Sequence, residues 1–283
     1  MTKIADGKAL SEKIYREIQS EIEKKHLSPC LAVIITKDNE AGKIYVRNKQ
    51  RACEKTGIKS LTIEFDANVD EDTFINKIEE LNNNNSVDAI LVQLPIPKHL
   101  DTEKILNKIS PDKDADGLHY VNAGKMFTGQ ITPSVACTPK GIIRLLDEYN
   151  VNLSGLNAVV IGRSNLVGKP IAQLLLQKNA TVTMLHSKSK NIEKFTKDAD
   201  LIVAAAGNPK MLTGEMVKNG VIIIDVGITR VDGKISGDVD FETVAPKAEL
   251  ITPVPGGVGP MTVAMLVENT LSLAKKHQGQ LYF

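Results

Sequence analysis

Short apolar runs set between segments of helical period are what most limits the fold of this chain. CLAVIIT (30–36), SLTIEF (60–65) and AILVQLP (89–95) occupy its first part. NAVVIG (157–162), TVTML (181–185), ADLIVAAAG (199–207) and GVIIIDVG (220–227) occupy its second. Strands that alternate with helices imply parallel sheets, so the fold class is α/β. The first helix shows in the spacing of Leu10, Ile14, Ile18 and Ile22; the second runs through IYVRNKQ (44–50), and a third starts near Asp70. The polar tract Asn82–Asn85 closes that helix ahead of a strand at Val87. With 283 residues, two domains are expected. The stretch 110–140, rich in Asp, Gly, Pro and Thr and poor in periodicity, is a linker or a functional loop. A last helix, about 261–277, lies beyond the second sheet and packs back on the first domain.

Charge argues for a small ligand. Lys and Arg number 35 against 34 Asp and Glu, so no strong field draws the chain to nucleic acid or to an anionic membrane. Cys30, Cys53 and Cys137 form no C-x-x-C pair and leave one over if two are bridged, which fits a reducing, cytoplasmic setting. No targeting segment and no run of membrane-spanning length stands out. The five histidines show no compact metal-ligand spacing, and no metal is expected.

VVIGRSNLVGKP (159–170) reads as a strand, a tight turn and a helix start, with Pro170 in the first helical turn. Gly162, Ser164 and Gly168 make G-x-S-x-x-x-G, a relative of the dinucleotide fingerprint. Its small residues let backbone N–H groups and a helix N-terminus approach a pyrophosphate. An ordinary strand-to-helix turn has the same spacing, so context decides. NAD-binding sheets end the next strand in Asp or Glu, which holds the ribose 2′-OH. Here it ends in LHSK (185–188), and the hydroxyl of Ser187, the cation of Lys188 and Arg163 in the turn favour NADP over NAD. A solvated loop is the plain alternative for 186–188. DVGI (225–228) ends a later strand at the same edge and places Ile228 toward the nicotinamide. TPVPGGVGPMT (252–262) is either a structural turn before the last helix or a close approach to a flat ligand.

Tyr45 and Lys49, four apart, project from one helix face, with Gly42 about one turn earlier. A lysine at its usual pKa of ~10.4 is a poor base, but burial beside a phenol and an amide lowers it. Surface snorkelling is the bland reading of such a pair. Gln93 stands at the carboxyl end of a strand and Asp116 in the ensuing loop, both places where sites form. His119 and Cys137 are read as structural. Short-chain dehydrogenases also use Y-x-x-x-K, but their glycine turn precedes the tyrosine, whereas here it follows by more than a hundred residues. A Rossmann protein that only senses NADP is the other competing reading.

Together, IYVRNK, VQLPIP, PDKDADGLHYVNAGK, CTPKG, VVIGRSNLVGKP, TVTMLHSK, IIIDVGIT, SGDVDF and TPVPGGVGPMT resemble, in order, the bifunctional methylenetetrahydrofolate dehydrogenase/methenyltetrahydrofolate cyclohydrolases. The resemblance spans essentially the whole chain. It implies a folate-binding catalytic domain, 1–139, joined by the C-terminal helix 266–283, and a Rossmann-like doubly wound NADP-binding domain, 140–265. It implies oxidation of 5,10-methylenetetrahydrofolate and then hydrolysis to 10-formyltetrahydrofolate, in a homodimer serving one-carbon metabolism and purine, methionine and histidine biosynthesis. By the same resemblance Lys49 matches the essential cyclohydrolase lysine, Tyr45 the substrate-stacking tyrosine, Gln93 the partner of the lysine and Asp116 the carboxylate that fixes the pterin. Gly162, Arg163, Ser164, Ser187 and Ile228 match NADP-contacting positions. Pro255, Gly256 and Gly257 match the substrate-side loop that closes the cleft. The chain departs from the family in reading DNEAG (38–42) for DNPAS and ACTP (136–139) for PCTP.

Overall fold

The computed structural model describes residues 2–231 and 233–279. It divides into two compact units, one formed by Lys13–Cys137 with the chain from Val263 onward, the other by Thr138–Thr262 with the first twelve residues.

In the first unit, helix α1 (Gly7–Lys25), begun in the other unit, leads to β2 (Cys30–Thr36), α2 (Glu40–Thr56), β3 (Lys59–Phe65), α3 (Glu71–Asn83) and β4 (Ala89–Val92). The three strands pair in parallel in the order β3-β2-β4. β2 and β4 are buried at every residue, as their almost wholly apolar sequences require, whereas β3 at the edge has no fully buried residue. Each helix is bounded by local chemistry. Asp70 Oδ1 accepts the Thr73 N–H to start α3, and Gly57, left-handed at φ +77°, ends α2. Phe74, Ile75, Ile78 and Leu81 of α3 pack with Ala32, Ile34, Ile90 and Val92 into one core.

The stretch that lacked periodicity is ordered by this sheet. Ile90 N–H donates to Lys113 O (2.6 Å) and Ala115 N–H to Ile90 O (3.1 Å), laying residues 113–115 along β4 as a strand stub. Two helices that the sequence pattern did not reveal flank it, α4 (Thr102–Leu106) and α5 (Tyr120–Phe127). The asparagine tract does more than close α3, because the Asn82 side chain binds Lys108 O and the Ser110 N–H, and the strand begins at Ala89, two residues later than expected.

The second unit holds α6 (Cys137–Glu148), β5 (Asn157–Ile161), α7 (Gly168–Gln177), β6 (Thr181–Leu185), α8 (Glu193–Thr196), β7 (Leu201–Ala204) and β8 (Val221–Asp225). An antiparallel hairpin of β9 (Thr229–Val231) and β10 (Lys234–Ser236) follows, then α9 (Phe241–Val244) and β11 (Ala248–Ile251). Its parallel sheet has the order β1-β11-β8-β7-β5-β6, where β1 is Lys3–Ile4. After β6 the chain returns to the far side of β5, so the topology reverses between β5 and β7. Residues 1–12, expected with the first domain, belong to this unit because β1 pairs with β11 and Lys8 N–H donates to Gly256 O. A two-residue strand carries no periodic signal.

The last helix, α10 (Val258–His277), starts three residues before the expected point and, from Val263, packs into the first unit. There Asn269 Nδ2, fully buried, donates to Ala115 O (3.0 Å) and Val135 O (2.9 Å). Lys275 meets Glu21, Lys276 meets Asp112 and His277 meets Asp88. The Lys276–Asp112 pair is largely exposed and contributes ~0–1 kcal/mol, whereas His277 reaches the buried Asp88 and Lys275 is itself mostly covered.

Phe74→Ala, at a site with no exposed surface, is expected to lower unfolding stability by about 3–5 kcal/mol, against less than about 1 kcal/mol for Leu61→Ala on the edge strand; urea unfolding of both variants measures the contrast.

Candidate active site and nucleotide-binding edge

Helix α2 opens at Asn39, whose Oδ1 accepts the Gly42 N–H (2.7 Å) and whose Nδ2 donates to Pro95 O (3.0 Å). A Cβ on Gly42 would lie 2.5 Å from the Asn39 amide, so the glycine of DNEAG is what lets this cap sit where it does. One turn on, Tyr45 stands 42% exposed, and one turn beyond it Lys49 turns inward. Lys49 Nζ donates to Gln93 Oε1 at 2.8 Å, while Gln93 donates from Nε2 to Leu94 O and from its backbone to Ile34 O. Burial pulls the Lys49 pKa below its ordinary value, against the opposing pull of the Asp116 carboxylate and the Cys137 and Cys53 thiols. The structure thus joins Lys49 to Gln93 and brings Asp116 within electrostatic reach, with Tyr45 on the same helix face.

Sequence reasoning missed the residue that shapes the Asp116 loop. Asp114 is buried and accepts from Gly117 N–H (3.1 Å), His119 N–H (2.9 Å) and Asn122 Nδ2 (3.0 Å). Burial raises its pKa, while the bonds from Asn122 and the His119 N–H pull it down. Gly117 is left-handed (φ +69°) and a Cβ there would fall 2.3 Å from Val135 C, so the loop admits only glycine. The visible signal was the pattern D-x-D-G followed by backbone donors. His119 caps α5, its Nδ1 accepting the Val121 N–H, and Cys137 is buried against Ala115 O and Asn269, both structural roles. All three thiols are free and buried, and burial pushes Cys53 up to about 12, so it is no nucleophile. Among the described residues no group of three or more His, Cys, Asp or Glu side chains is placed to hold a metal, and no helix is long and apolar enough to cross a membrane.

In the other unit the named residues gather at the carboxyl edge of the six-stranded sheet. Gly162 has φ +133°, and a Cβ on it would lie 2.2 Å from Ala205 O; one on Gly168 would lie 2.3 Å from Gly162 O. The turn after β5 is therefore bare backbone by necessity. Ser164 Oγ accepts from Val167 N–H (3.1 Å) and Gly168 N–H (3.4 Å), which shapes the entry to α7. Gly162 N–H donates to Leu185 O, bringing the turn beside the end of β6, where Ser187 and Lys188 are exposed, as is Arg163. His186 Nδ1 accepts the Lys188 N–H (3.1 Å) and fixes that turn. Two cations and a hydroxyl, with no carboxylate ending β6, make a donor set suited to a 2′-phosphate. Ile228 follows β8 and is 48% exposed. Pro255, Gly256 and Gly257 lie on the same unit against the start of α1: a Cβ on Gly7 would be 1.8 Å from Gly257 O, and a Cβ on Gly257 would be 2.7 Å from Pro253 O, so close backbone packing accounts for the glycines at 7 and 257.

Behind this edge lies a pair of buried carboxylates. Asp225 Oδ1 accepts from the N–H groups of Gly227 (3.0 Å) and Asp238 (2.9 Å), and Oδ2 from that of Val239 (3.1 Å). Asp238 Oδ2 accepts from Ala206 N–H (2.6 Å) and Gly207 N–H (2.9 Å), while Oδ1 is buried with no partner among the described residues.

Family models for the tetrahydrofolate dehydrogenase/cyclohydrolase catalytic domain and its NAD(P)-binding domain match residues 5–116 and 136–278. The chain belongs to the tetrahydrofolate dehydrogenase/cyclohydrolase family. Within that family it is 54% identical over 276 residues to the bifunctional protein FolD of Campylobacter hominis, covering 96% of this chain and 97% of that one. The crystal structure of the bifunctional enzyme FolD from Campylobacter jejuni superposes with a TM-score of 0.95 at 47% identity, covering 98% and 99% of the two chains. The Trypanosoma brucei FolD, solved with NADP and an inhibitor, gives 0.93 at 36% identity, with 97% and 98% covered.

Burial raises the Asp225 carboxyl from its ordinary 3.8 to about 6, the three N–H bonds opposing and the Asp238 charge assisting. Because the folded state holds this proton more tightly, the group's contribution is fully present below pH ~4 and is lost as pH rises through ~6, on the order of 3 kcal/mol. Asp225→Asn is expected to flatten that part of the stability profile, read by urea unfolding at steps between pH 4 and 7.

Proposed function

We propose that Lys49, oriented by Gln93, handles the proton of a cyclohydrolase step, that Tyr45 stacks on the folate and that Asp116 fixes its pterin ring. The chain is an NADP-dependent dehydrogenase and a cyclohydrolase of one-carbon tetrahydrofolates. It oxidises 5,10-methylenetetrahydrofolate to the 5,10-methenyl compound and hydrolyses that to 10-formyltetrahydrofolate. The observation that carries the assignment of residues is the 2.8 Å bond from Lys49 Nζ to Gln93 Oε1 in surroundings that lower the lysine's pKa.

Bound NADP+ supplies the acceptor for the hydride that leaves the methylene carbon. The flanking nitrogen lone pairs stabilise the resulting cation, so Tyr45 and Asp116 contribute orientation rather than proton transfer. In the second step water adds to the methenyl carbon and Lys49, its pKa lowered by burial, takes its proton. One carbon–nitrogen bond of the bridge then breaks as that nitrogen is protonated, leaving the formyl group on the other. Gln93 Oε1 engages one N–H of Lys49, which holds the nitrogen lone pair away from the amide. With NADP bound, glycines 162 and 168 would open the α7 N-terminus to the pyrophosphate, Gly162, Arg163, Ser164 and Ser187 would hold the adenosine side with its 2′-phosphate, and Ile228 would line the nicotinamide end.

On the family relationship we further assign substrate contacts to Pro255, Gly256 and Gly257. The folate-binding domain is the unit built on β2, β3 and β4 with the end of α10, and the NADP domain is the unit of the six-stranded sheet. The enzyme works as a cytoplasmic homodimer whose product feeds purine, methionine and histidine biosynthesis.

The deciding experiment supplies methylenetetrahydrofolate and NADP+ to wild type and Lys49→Met, follows cofactor reduction and identifies the folate by chromatography. Wild type yields formyltetrahydrofolate. Lys49→Met reduces NADP+ but stops at the methenyl compound, its hydrolysis slowed by about 10²–10⁴-fold. Loss of both activities in a folded variant overturns the division of labour. Arg163→Ala and Ser187→Ala are each expected to weaken NADP+ binding roughly 10-fold with little change for NAD+, measured by calorimetry.

A further inference from the structure

We infer that Asp238 is a positioning residue for the nicotinamide end of the cofactor, setting through its carboxylate the loops that follow β7 and β8. Its place on the nicotinamide side rests on the assignment of Ile228 above.

Two successive N–H groups at the end of β7, those of Ala206 and Gly207, converge on Asp238 Oδ2. Converging amides at a strand's carboxyl end form a natural anion cradle, and here the chain fills it with its own side chain, leaving the pyrophosphate to the turn at Gly162. Asp238 is itself held by its neighbour. Asp225 accepts the N–H groups of Asp238 and Val239 and, with the same carboxylate, that of Gly227, just before Ile228. Thr252 Oγ1, where β11 gives way to the Pro253–Gly257 run, accepts the Asp225 N–H at 2.7 Å. One network therefore ties together the ends of β7, β8 and β11.

The fit is tight enough to make the network a gauge. A Cβ on Gly227 would stand 2.3 Å from Asp238 Oδ1, and one on Gly237 would stand 1.9 Å from Asp225 Oδ2. Both glycines are needed for the carboxylates to occupy these places. Among the described residues Asp238 Oδ1 has no partner, although the residue has no exposed surface. Structural economy alone would not keep such an atom, since burying an oxygen without a partner forfeits its hydration with nothing in exchange. What the carboxylate provides is a single anion that anchors two amides of one loop while packing directly beneath the glycine of the next.

The test separates the two halves of the cofactor. Calorimetry measures binding of NADP+ and of adenosine 2′,5′-bisphosphate, which carries the adenosine half with its 2′-phosphate and no nicotinamide, to Asp238→Ala, Asp238→Asn, Gly227→Ala and Ile228→Ala. Asp238→Ala is expected to weaken NADP+ roughly 10-fold or more while the bisphosphate binds as to wild type. Asp238→Asn, which keeps an oxygen for Ala206 and Gly207, restores most of the loss. Gly227→Ala, which pushes on the carboxylate from the opposite side, gives the same selective loss and serves if the alanine at 238 does not fold. Equal loss of both ligands, or of neither, in the folded Asp238 and Gly227 variants overturns the inference. Ile228→Ala reports on the underlying assignment separately: if it changes neither ligand while the Asp238 variants stay selective, the Ile228 contact falls and the role of Asp238 stands.

Discussion

Parallel strand pairing is the constraint on which the rest of this molecule depends. It puts the carboxyl ends of all strands of a sheet on one edge, so loops far apart in sequence deliver their side chains to the same line. In the small sheet β2 and β4 are neighbours, and the helix that follows β2 therefore meets the residue that follows β4. That adjacency is the bond between Lys49 and Gln93. The stub at 113–115 extends the same arrangement by one more backbone, carrying Asp116 to the site. In the larger sheet the reversal between β5 and β7 leaves the glycine turn unobstructed, while β8 and β11 bring up Ile228 and the Pro253–Gly257 run.

The chain spends stability at these edges. Asp114, Asp225 and Asp238 carry ionisable groups away from water and Lys49 is half-buried, in places where the charged form is disfavoured unless it is hydrogen-bonded. The carboxylates are satisfied largely by backbone N–H groups, which fixes loop geometry as a by-product. The cost is offset by cores of fully buried Ile, Val, Leu and Phe, each worth about 1.5–3 kcal/mol, packed immediately behind the same strands. A low lysine pKa and rigid loops are two results of the same placement.

Much of the site could be read from neighbouring residues. Tyr45 and Lys49 share a helix face by spacing alone, and the turn at 162–168 announces itself because only glycine tolerates its backbone. Other residues left no such trace. In KDADG the two aspartates look alike, yet Asp114 is buried under three hydrogen bonds while Asp116 comes within electrostatic reach of Lys49. Asn269 looks like a polar interruption in an apolar helix, and its role appears only when Ala115 and Val135 are found beside it. The serine missing at position 42 reads as a loss until Asn39 is seen filling the space above Gly42.

The sequence by itself determined the alternation of strands and helices, the caps and the glycine turns, and the family-wide order of motifs, because each depends on residues only a few positions apart. Tertiary structure decided which aspartate turns inward, that Lys49 is drawn half-buried against Gln93, that the first residues join the second sheet, and that Asp225 and Asp238 lock one edge together. Desolvation and hydrogen bonding act through space, between groups separated by tens to hundreds of residues, and no local pattern encodes that distance.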